Sequence, residues 1–270
     1  MMPMTGKSHL ETDPGASPAR KTYRMFWLLA CLGGLYMQFH LYSGQTIVFP
    51  FVFSNCIGLV CLLLYANRRQ LFSTFWFAVL LMVYGAIQVV LGDPEIAVRH
   101  TLRYAQLSTS ILAGYGIALL LLRIPRQQLA SALAWVALFI LAVAVAEVYL
   151  GFYPVMVQVN SFLYSWRPAG FYDEVVRDTL LWGGIRPLVF STEPSLVGIW
   201  GSGLMIAAAG LTSGSSWKRL GSLVLYTGAL LFVARSMTAA LLLIAYLGAT
   251  IFYRRDRLFG QLTALAVTVA

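Results

Sequence analysis

The sequence predicts an all-α fold, a polytopic bundle of transmembrane helices, and three observations lead to this class. Hydrophobic residues make up 59% of the 270 residues and charged residues only 11%, which is too few charges to cover the surface of a soluble globule. The mean hydropathy is +0.76. Apolar runs recur along the chain, most of them near the roughly 20 residues that a helix needs to cross a bilayer core. These features exclude a soluble enzyme, a disordered chain and a secreted disulfide scaffold.

A polar segment opens the chain, and a series of apolar runs follows it. Residues 1–24 contain prolines and glycines without an apolar period, which predicts a disordered cytoplasmic tail. We expect a transmembrane domain over 25–270 whose eight spans are the apolar runs 25–42, 46–66, 71–91, 104–122, 129–150, 195–211, 220–234 and 237–253.

A ninth apolar run starts at Leu258 and is still apolar at Ala270. It predicts the start of another span, so that the chain would be an N-terminal fragment of a longer protein. The alternative is a re-entrant or shallow helix at the C-terminus.

The two runs on either side of Arg235 are short, and the alternative to two spans is one continuous helix. A single helix over 220–253 would be roughly 50 Å long, far more than the thickness of the hydrocarbon core. It would also place the basic residues near 218 and those near 254 on opposite sides of the membrane. We therefore expect two spans that meet near Arg235 at the outer interface.

The basic residues predict the orientation. With a cytoplasmic N-terminus, 13 of the 19 Lys and Arg residues fall on the cytoplasmic side, as the positive-inside rule requires. The longest polar connection, about 151–192, then lies outside, and a loop of this length is usually functional. No basic stripe is interleaved with exposed aromatics, so nucleic-acid binding is disfavoured.

The six basic residues on the outer side are all arginines, whose planar guanidinium groups suit bidentate phosphate binding. They are Arg99, Arg103, Arg167, Arg177, Arg186 and Arg235. The fourth, sixth and eighth spans begin at the outer face, so their positive helix ends point there. Helix N-termini and arginines together favour an anionic ligand. The alternative is that each arginine anchors a helix at the interface, or, for Arg177, forms a solvated ion pair with neighbouring acids.

Each of these three helix starts has its own candidate residues. Arg99 and Arg103 stand one turn apart at the start of the fourth span. Arg186 precedes the sixth span, where Thr192 is a candidate N-cap and Pro194 suits the first turn. Arg235 precedes the eighth span, with Ser236 as a candidate cap. We expect Arg103, Arg186 and Arg235 to share one anionic ligand.

Three titratable residues are candidates for proton transfer on the outer side. Glu193, at the outer end of the sixth span, could take a proton from an attacking hydroxyl, or be an acid favoured by the helix dipole. Glu147, near the outer end of the fifth span, is a weaker candidate of the same kind. His100 could act as a base. No Ser-His-Asp arrangement, phosphate loop or metal-ligand spacing is present, so we expect no metal and no cofactor.

A first motif, at 186–195, reads Arg-Pro-Leu-Val-Phe-Ser-Thr-Glu-Pro-Ser. It resembles the O-antigen polymerase and O-antigen ligase superfamily of bacterial envelope proteins. The second is Ala-Arg-Ser-Met-Thr-Ala-Ala at 234–240, which is similar to the family's Ser-Arg-Thr/Gly-Ala element with Ala in place of the first Ser. Arg103 and Gly114 also fit an Arg-x10-Gly spacing of polymerase outer loops. The resemblance covers roughly residues 25–270.

The resemblance implies a metal-independent, inverting glycosyltransferase on the outer side of the bacterial inner membrane. Its donor would be a polyprenyl-pyrophosphate-linked glycan, joined into O-antigen or exopolysaccharide. Arg235 and Arg103 would hold the pyrophosphate, Arg186 would bind donor phosphate or glycan, and Glu193 would orient or deprotonate the acceptor. Aromatic residues of the outer loop would stack on sugars, unless they form an ordinary interfacial belt; they include Tyr164, Trp166 and Tyr172. The partners implied are a glycan acceptor, the lipid bilayer and a chain-length regulator.

Two other functions stay open at this point. One is an O-antigen ligase, which transfers the lipid-linked glycan to another acceptor. Glu-Pro-Ser is more typical of polymerases, whereas ligases tend toward Asn-Pro-Asn. The other is a transporter or flippase of anionic lipid-linked sugars. A transporter usually shows internal repeats and helices broken at matching places, and the chain has no convincing repeat.

Overall fold

The computed structural model describes residues 18–43, 46–49, 52–91, 94–165, 175–212 and 216–253. Over these ranges the chain is helical apart from one short antiparallel hairpin, formed by β1 (Leu41–Ser43) and β2 (Thr46–Phe49). The helices are α1 (Pro18–Met37), α2 (Val52–Tyr65), α3 (Arg68–Leu91), α4 (Pro94–Leu122), α5 (Arg126–Tyr149), α6 (Tyr153–Leu163), α7 (Val175–Trp182), α8 (Pro194–Leu211), α9 (Ser216–Ala234) and α10 (Met237–Tyr253).

Four helices in the described ranges are long and apolar enough to cross a membrane: Arg68–Val90, Thr101–Leu122, Arg126–Tyr149 and Pro194–Leu211. Three shorter helices are also apolar: Val52–Tyr65, Arg219–Ala234 and Met237–Ala249. A helical fold with several apolar helices of this kind agrees with the predicted class and indicates a membrane protein.

The first part of the chain differs from the prediction in two places. Helix α1 begins at Pro18, inside the tail expected over 1–24, because Pro suits the first turn and Ala19, Arg20 and Lys21 favour helix. The expected second span, 46–66, begins as strand β2 and becomes helical only at Val52. The β-branched run Thr-Ile-Val at 46–48 favours a strand over a helix. Residues 1–17 and 254–270, including the run from Leu258, lie outside the described residues.

The chain forms two compact units, residues 1–31 with 55–125 and residues 32–54 with 126–270. In the first unit, α3 packs against α4, and glycines allow close approach of the helices. A Cβ atom at Gly116 of α4 would collide with the backbone of Gly58 and Leu62 of α2, and one at Gly85 of α3 would collide with the ring of Tyr104. Small residues commonly bring helix backbones together in membrane proteins.

In the second unit, α8 packs against α5, α9 and α10. The core includes Ala137, Ile140 and Ala144 of α5 and Leu230 of α9, each no more than 3% exposed. The hydroxyl of Tyr226 donates to the carbonyl oxygen of Ala137 at 2.7 Å, so this buried polar group is satisfied. This core supports the loop that leads into α8.

Candidate functional site

The chain breaks at Arg235 and Ser236, between α9 and α10, as predicted. Arg235 has a φ of +49°, in the left-handed region that ends many helices, and its N–H donates to Leu231 at 2.9 Å. Its guanidinium lies over the backbone of Gly184: a Cβ atom there would stand 2.5 Å from Nη1 and 2.9 Å from Cζ. Arg235 therefore lies against the segment that carries Arg186.

The starts of α8 and α10 lie close together. Ser236, the residue before α10, is buried, and its side chain occupies the space that a Cβ atom at Gly198 would need. Gly198 lies one turn into α8. Because helix N-termini carry partial positive charge, the two helix starts and the nearby arginines create a region that favours an anion.

Residues 183–193 connect α7 to α8 as a non-helical loop, which is mostly buried from Arg186 to Thr192. Leu188, Val189 and Ser191 are 0% exposed and Thr192 is 1% exposed. Non-helical backbone beside membrane-spanning helices is tolerated only where protein groups satisfy its N–H and C=O groups. The loop must therefore find hydrogen-bond partners inside the second unit.

Glu147 supplies the main acceptor for this loop. Its Oε2 accepts a hydrogen bond from the N–H of Leu188 at 2.7 Å, and its Oε1 accepts one from Val189 at 2.6 Å. The side chain is 2% exposed. Short hydrogen bonds from backbone N–H groups to a carboxylate are among the stronger kinds. Glu147 thus fixes the backbone two residues after Arg186.

Helix α6 and the residue after it hold the same loop from another side. Asn160 donates through Nδ2 to the carbonyl of Ser191 at 3.1 Å. The hydroxyl of Tyr164 lies 2.7 Å from the carbonyl of Phe190 and 2.9 Å from that of Met37. Val189 and Phe190 have φ values of +45° and +61°, a conformation that costs energy in residues other than glycine. These contacts hold the strained backbone in place.

Arg186 is buried and faces an acid on α7. Its Nη1 lies 3.8 Å from Oδ1 of Asp178, and both side chains are at most 10% exposed. Asp178 balances part of the charge of Arg186, whereas Arg235 adds charge beside Gly184. The second unit therefore brings together Arg186 and Arg235, two of the arginines predicted to bind an anion.

The start of α8 confirms one expectation and corrects another. Pro194 occupies the first turn, as predicted. The N-cap is Glu193 and not Thr192, and it makes no side-chain cap bond. Thr192 is buried, and its hydroxyl lies 3.5 Å from Oε1 of Gln38 instead. Ser236 holds the cap position of α10, but the described residues offer its Oγ no hydrogen-bond partner.

Glu193, the predicted proton acceptor, is exposed at the start of α8. Its Oε2 accepts a hydrogen bond from Ser195 Oγ at 3.3 Å. An exposed carboxylate next to two helix starts is accessible to a substrate. Glu147, by contrast, is buried, and its two hydrogen bonds to the loop indicate a structural role.

The remaining predicted site residues belong to other parts of the chain. Helix α4 begins at Pro94, ten residues before the expected start, so Arg103 lies roughly 13 Å along the helix from its N-terminus and is exposed. Arg103 does lie at the start of the membrane-spanning window Thr101–Leu122, where the fourth span was expected to begin, but the expected positive helix end is not beside it. The side chains of Arg99 and His100 lie outside the described residues, and so do the whole residues Trp166, Arg167 and Tyr172.

The sequence makes Glu147 only a weak candidate, does not point to Asn160, and predicts that Tyr164 stacks on a sugar. Tyr164 is instead 1% exposed, with its hydroxyl on the carbonyls of Met37 and Phe190, so it is not available to a sugar. The available signal was an acid within an apolar run, which requires buried hydrogen-bond donors. Which donors these are depends on contacts 41 and 42 residues away in the sequence. Among the residues that the structure describes, no group of three or more His, Cys, Asp or Glu residues could hold a metal ion.

Comparison of the chain with family models, with curated proteins and with solved structures gave no match.

Proposed function

We propose that this protein polymerises polyprenyl-pyrophosphate-linked oligosaccharides into O-antigen or exopolysaccharide. The observation that carries the proposal is the placement of Arg235 against Gly184, two residues before Arg186, at the adjoining starts of α8 and α10. These are the two segments that resemble the polymerase and ligase superfamily. A pyrophosphate group needs several positive donors at once, and this region offers two guanidinium groups and two helix N-termini.

In the proposed reaction, an acceptor sugar hydroxyl attacks the anomeric carbon of the donor glycan. A new C–O bond forms as the bond to the lipid pyrophosphate breaks, with inversion, and the pyrophosphate leaves with the electron pair. Arg235 and Arg186 stabilise the negative charge that develops on the leaving group. The exposed carboxylate of Glu193 accepts the proton of the attacking hydroxyl.

The proposal also includes a complete membrane topology. It has eight spans in the bacterial inner membrane, with the N-terminus in the cytoplasm and the starts of α8 and α10 at the outer face. The distribution of basic residues supports this orientation. In the same scheme, Arg103 would bind the phosphate of the donor. Further residues expected on the outer side would also contact the donor or the acceptor: Arg99, Arg167, His100, Trp166 and Tyr172.

The test is an analysis of carrier-linked glycans in cells that produce this chain or its variants. Loss of the gene should leave single repeat units on the lipid at the periplasmic face. Arg235→Ala should give the same result, because the leaving group loses its counter-charge; removing one such donor commonly lowers the rate by roughly 100-fold or more. Arg126→Ala is the control, since this exposed arginine starts α5, away from both motifs.

The alternative functions give different products. A ligase would leave long chains on the carrier when its gene is lost, because polymerisation would continue without transfer. A flippase would trap single units on the cytoplasmic side. Either pattern, or full polymer length with both Arg186→Ala and Arg235→Ala, contradicts the proposal.

A further inference from the structure

The first unit contains a groove between α3 and α4 that the proposed reaction does not use. It is lined by Arg69, Gln70, Ser73, Thr74 and Phe77 of α3 and by Ile111 and Tyr115 of α4. Its volume of about 480 Å³ lies within the range typical of small-molecule sites. Such a volume accommodates a headgroup with the upper part of an acyl chain.

The lining of the groove changes from charged to apolar along α3. Arg69, Ser73 and Phe77 follow one another at intervals of four residues, so they lie on one face of the helix. Phe77 is about 12 Å from Arg69 along the helix axis. A guanidinium, then hydroxyl groups, then apolar side chains match the order of phosphate, glycerol and acyl chain in a phospholipid.

The groove opens onto an apolar surface. Only 11% of the membrane-spanning window of α3 is buried inside the protein. Its exposed side chains include Phe72, Phe75, Trp76 and Leu80. In a bilayer such a surface faces lipid, so an occupant of the groove arrives from the membrane.

The positive charge of the residues near Arg69 favours a lipid with an anionic headgroup. Arg123 donates through Nη2 to the carbonyl of Tyr65, and Arg24 donates to the carbonyl of Arg123, both at 2.9 Å. Arg68 and Arg69 follow Tyr65 by three and four residues. The described ranges of this unit contain one acidic residue, Glu95, at the start of α4. Basic clusters at the ends of membrane helices attract anionic lipids.

The backbone N–H groups at the start of α3 do not offer a second binding site for the lipid phosphate, so Arg69 is its partner. Asn67 and Gln70 exchange hydrogen bonds between side chain and backbone N–H, at 2.8 and 3.0 Å. This reciprocal cap satisfies N–H groups that would otherwise attract an anion. Arg69 is the charged side chain that lines the groove.

We propose that the groove between α3 and α4 binds an anionic phospholipid, with its phosphate at Arg69 and an acyl chain along Phe77 and Ile111. The bound lipid fills a gap between two helices of the first unit. This proposal does not depend on the function proposed for the second unit.

The test compares binding of phosphatidylglycerol and phosphatidylcholine, with identical acyl chains, to the purified full chain in detergent by native mass spectrometry. We expect phosphatidylglycerol to be retained more strongly. Arg69→Ala should weaken its binding about fivefold, the effect of one basic residue near a lipid phosphate. The matched control is Arg68→Ala, which removes the same charge from the adjacent residue outside the groove lining, and which should have a smaller effect.

A second variant separates the groove from the surface charge. Ser73→Phe fills the middle of the groove but keeps Arg69, and it should also reduce lipid retention. Soluble glycerol phosphate carries the charge without acyl chains and should not displace the lipid. Equal losses for the two arginine variants, full binding by Ser73→Phe, or displacement by glycerol phosphate would overturn the proposal.

Discussion

Helix α8 of the second unit and helix α3 of the first are both apolar enough to span a membrane, but they are buried to different extents. Half of the spanning window of α8 is buried inside the protein, against 11% of that of α3. The second unit buries Glu147 and Asn160 against a non-helical loop that includes the buried Thr192. The first unit exposes large apolar side chains along α3.

This difference shows where a membrane protein can place irregular backbone. A loop with free N–H and C=O groups is too costly against lipid, so it requires a unit that surrounds it with polar side chains. The unit that contains the more buried helix, α8, carries the loop with Arg186. The first unit exposes the apolar side chains of α3 and relies on close helix packing.

The largest effect is expected for Glu147→Ala. The substitution leaves the N–H groups of Leu188 and Val189 buried without acceptors, at a cost of about 1–3 kcal/mol each. We expect the free energy of unfolding to fall by roughly 3 kcal/mol or more. Reversible unfolding of the purified protein in mixed micelles, followed by circular dichroism, measures this change.

Two further variants serve as comparisons for Glu147→Ala. Glu147→Gln keeps one acceptor oxygen and should lose less stability than Glu147→Ala. Phe139→Ala changes a side chain on the same helix that is 57% exposed, and it should have little effect. If Glu147→Ala were as stable as Phe139→Ala, the loop would not depend on the buried carboxylate, and the contrast between the units would fail.

The next effect tests the packing of the first unit. Gly116→Ala places a methyl group against the backbone of Gly58 and Leu62, which cannot rotate away, and we expect a loss of about 3 kcal/mol. Gly114→Ala is the control on the same helix, because a Cβ atom there has nothing within 4 Å. Equal unfolding free energies for the two variants would contradict the close contact of α2 and α4.

The helix ends that the sequence predicted well depend on local rules. Pro194 begins α8 because Pro suits the first turn of a helix, and the break at Arg235 follows from the length that a bilayer allows. The expected fourth span, 104–122, agrees with the apolar window Thr101–Leu122, but the helix continues through the polar residues before it to Pro94, which the apolar length alone does not reveal.

The arrangement of the site required contacts that the sequence does not reveal. Arg186 and Arg235 are predicted from their positions before two helix starts and from the two motifs, but their approach through Gly184 joins segments about 50 residues apart. Thr192 was a reasonable cap by residue type, yet tertiary packing buries it against Gln38. Glu147 has a defined partner only after the loop has folded around it.

A smaller effect tests the contact between the starts of α8 and α10. Gly198→Ala introduces a Cβ atom into the space of the Ser236 side chain, and we expect a loss of about 2 kcal/mol, measured as above. Gly203→Ala on the same helix has nothing within 4 Å and should be neutral or slightly stabilising. Combining Gly198→Ala with Ser236→Gly removes the collision and should restore part of the loss. A combined variant that is less stable than the two single changes predict would argue against this contact.

The smallest effect is expected for Tyr164→Phe, which removes one hydroxyl from the carbonyls of Phe190 and Met37 but keeps the ring. We expect a loss of about 1 kcal/mol, the usual net contribution of one hydrogen bond. The loop keeps its bonds to Glu147 and Asn160, so helical content should not change. Because Val189 and Phe190 are strained, the loop itself should respond more than the whole protein. Hydrogen exchange at 188–191 measures this local change, and exchange that is unaffected in Tyr164→Phe would show that Glu147 and Asn160 alone hold the loop.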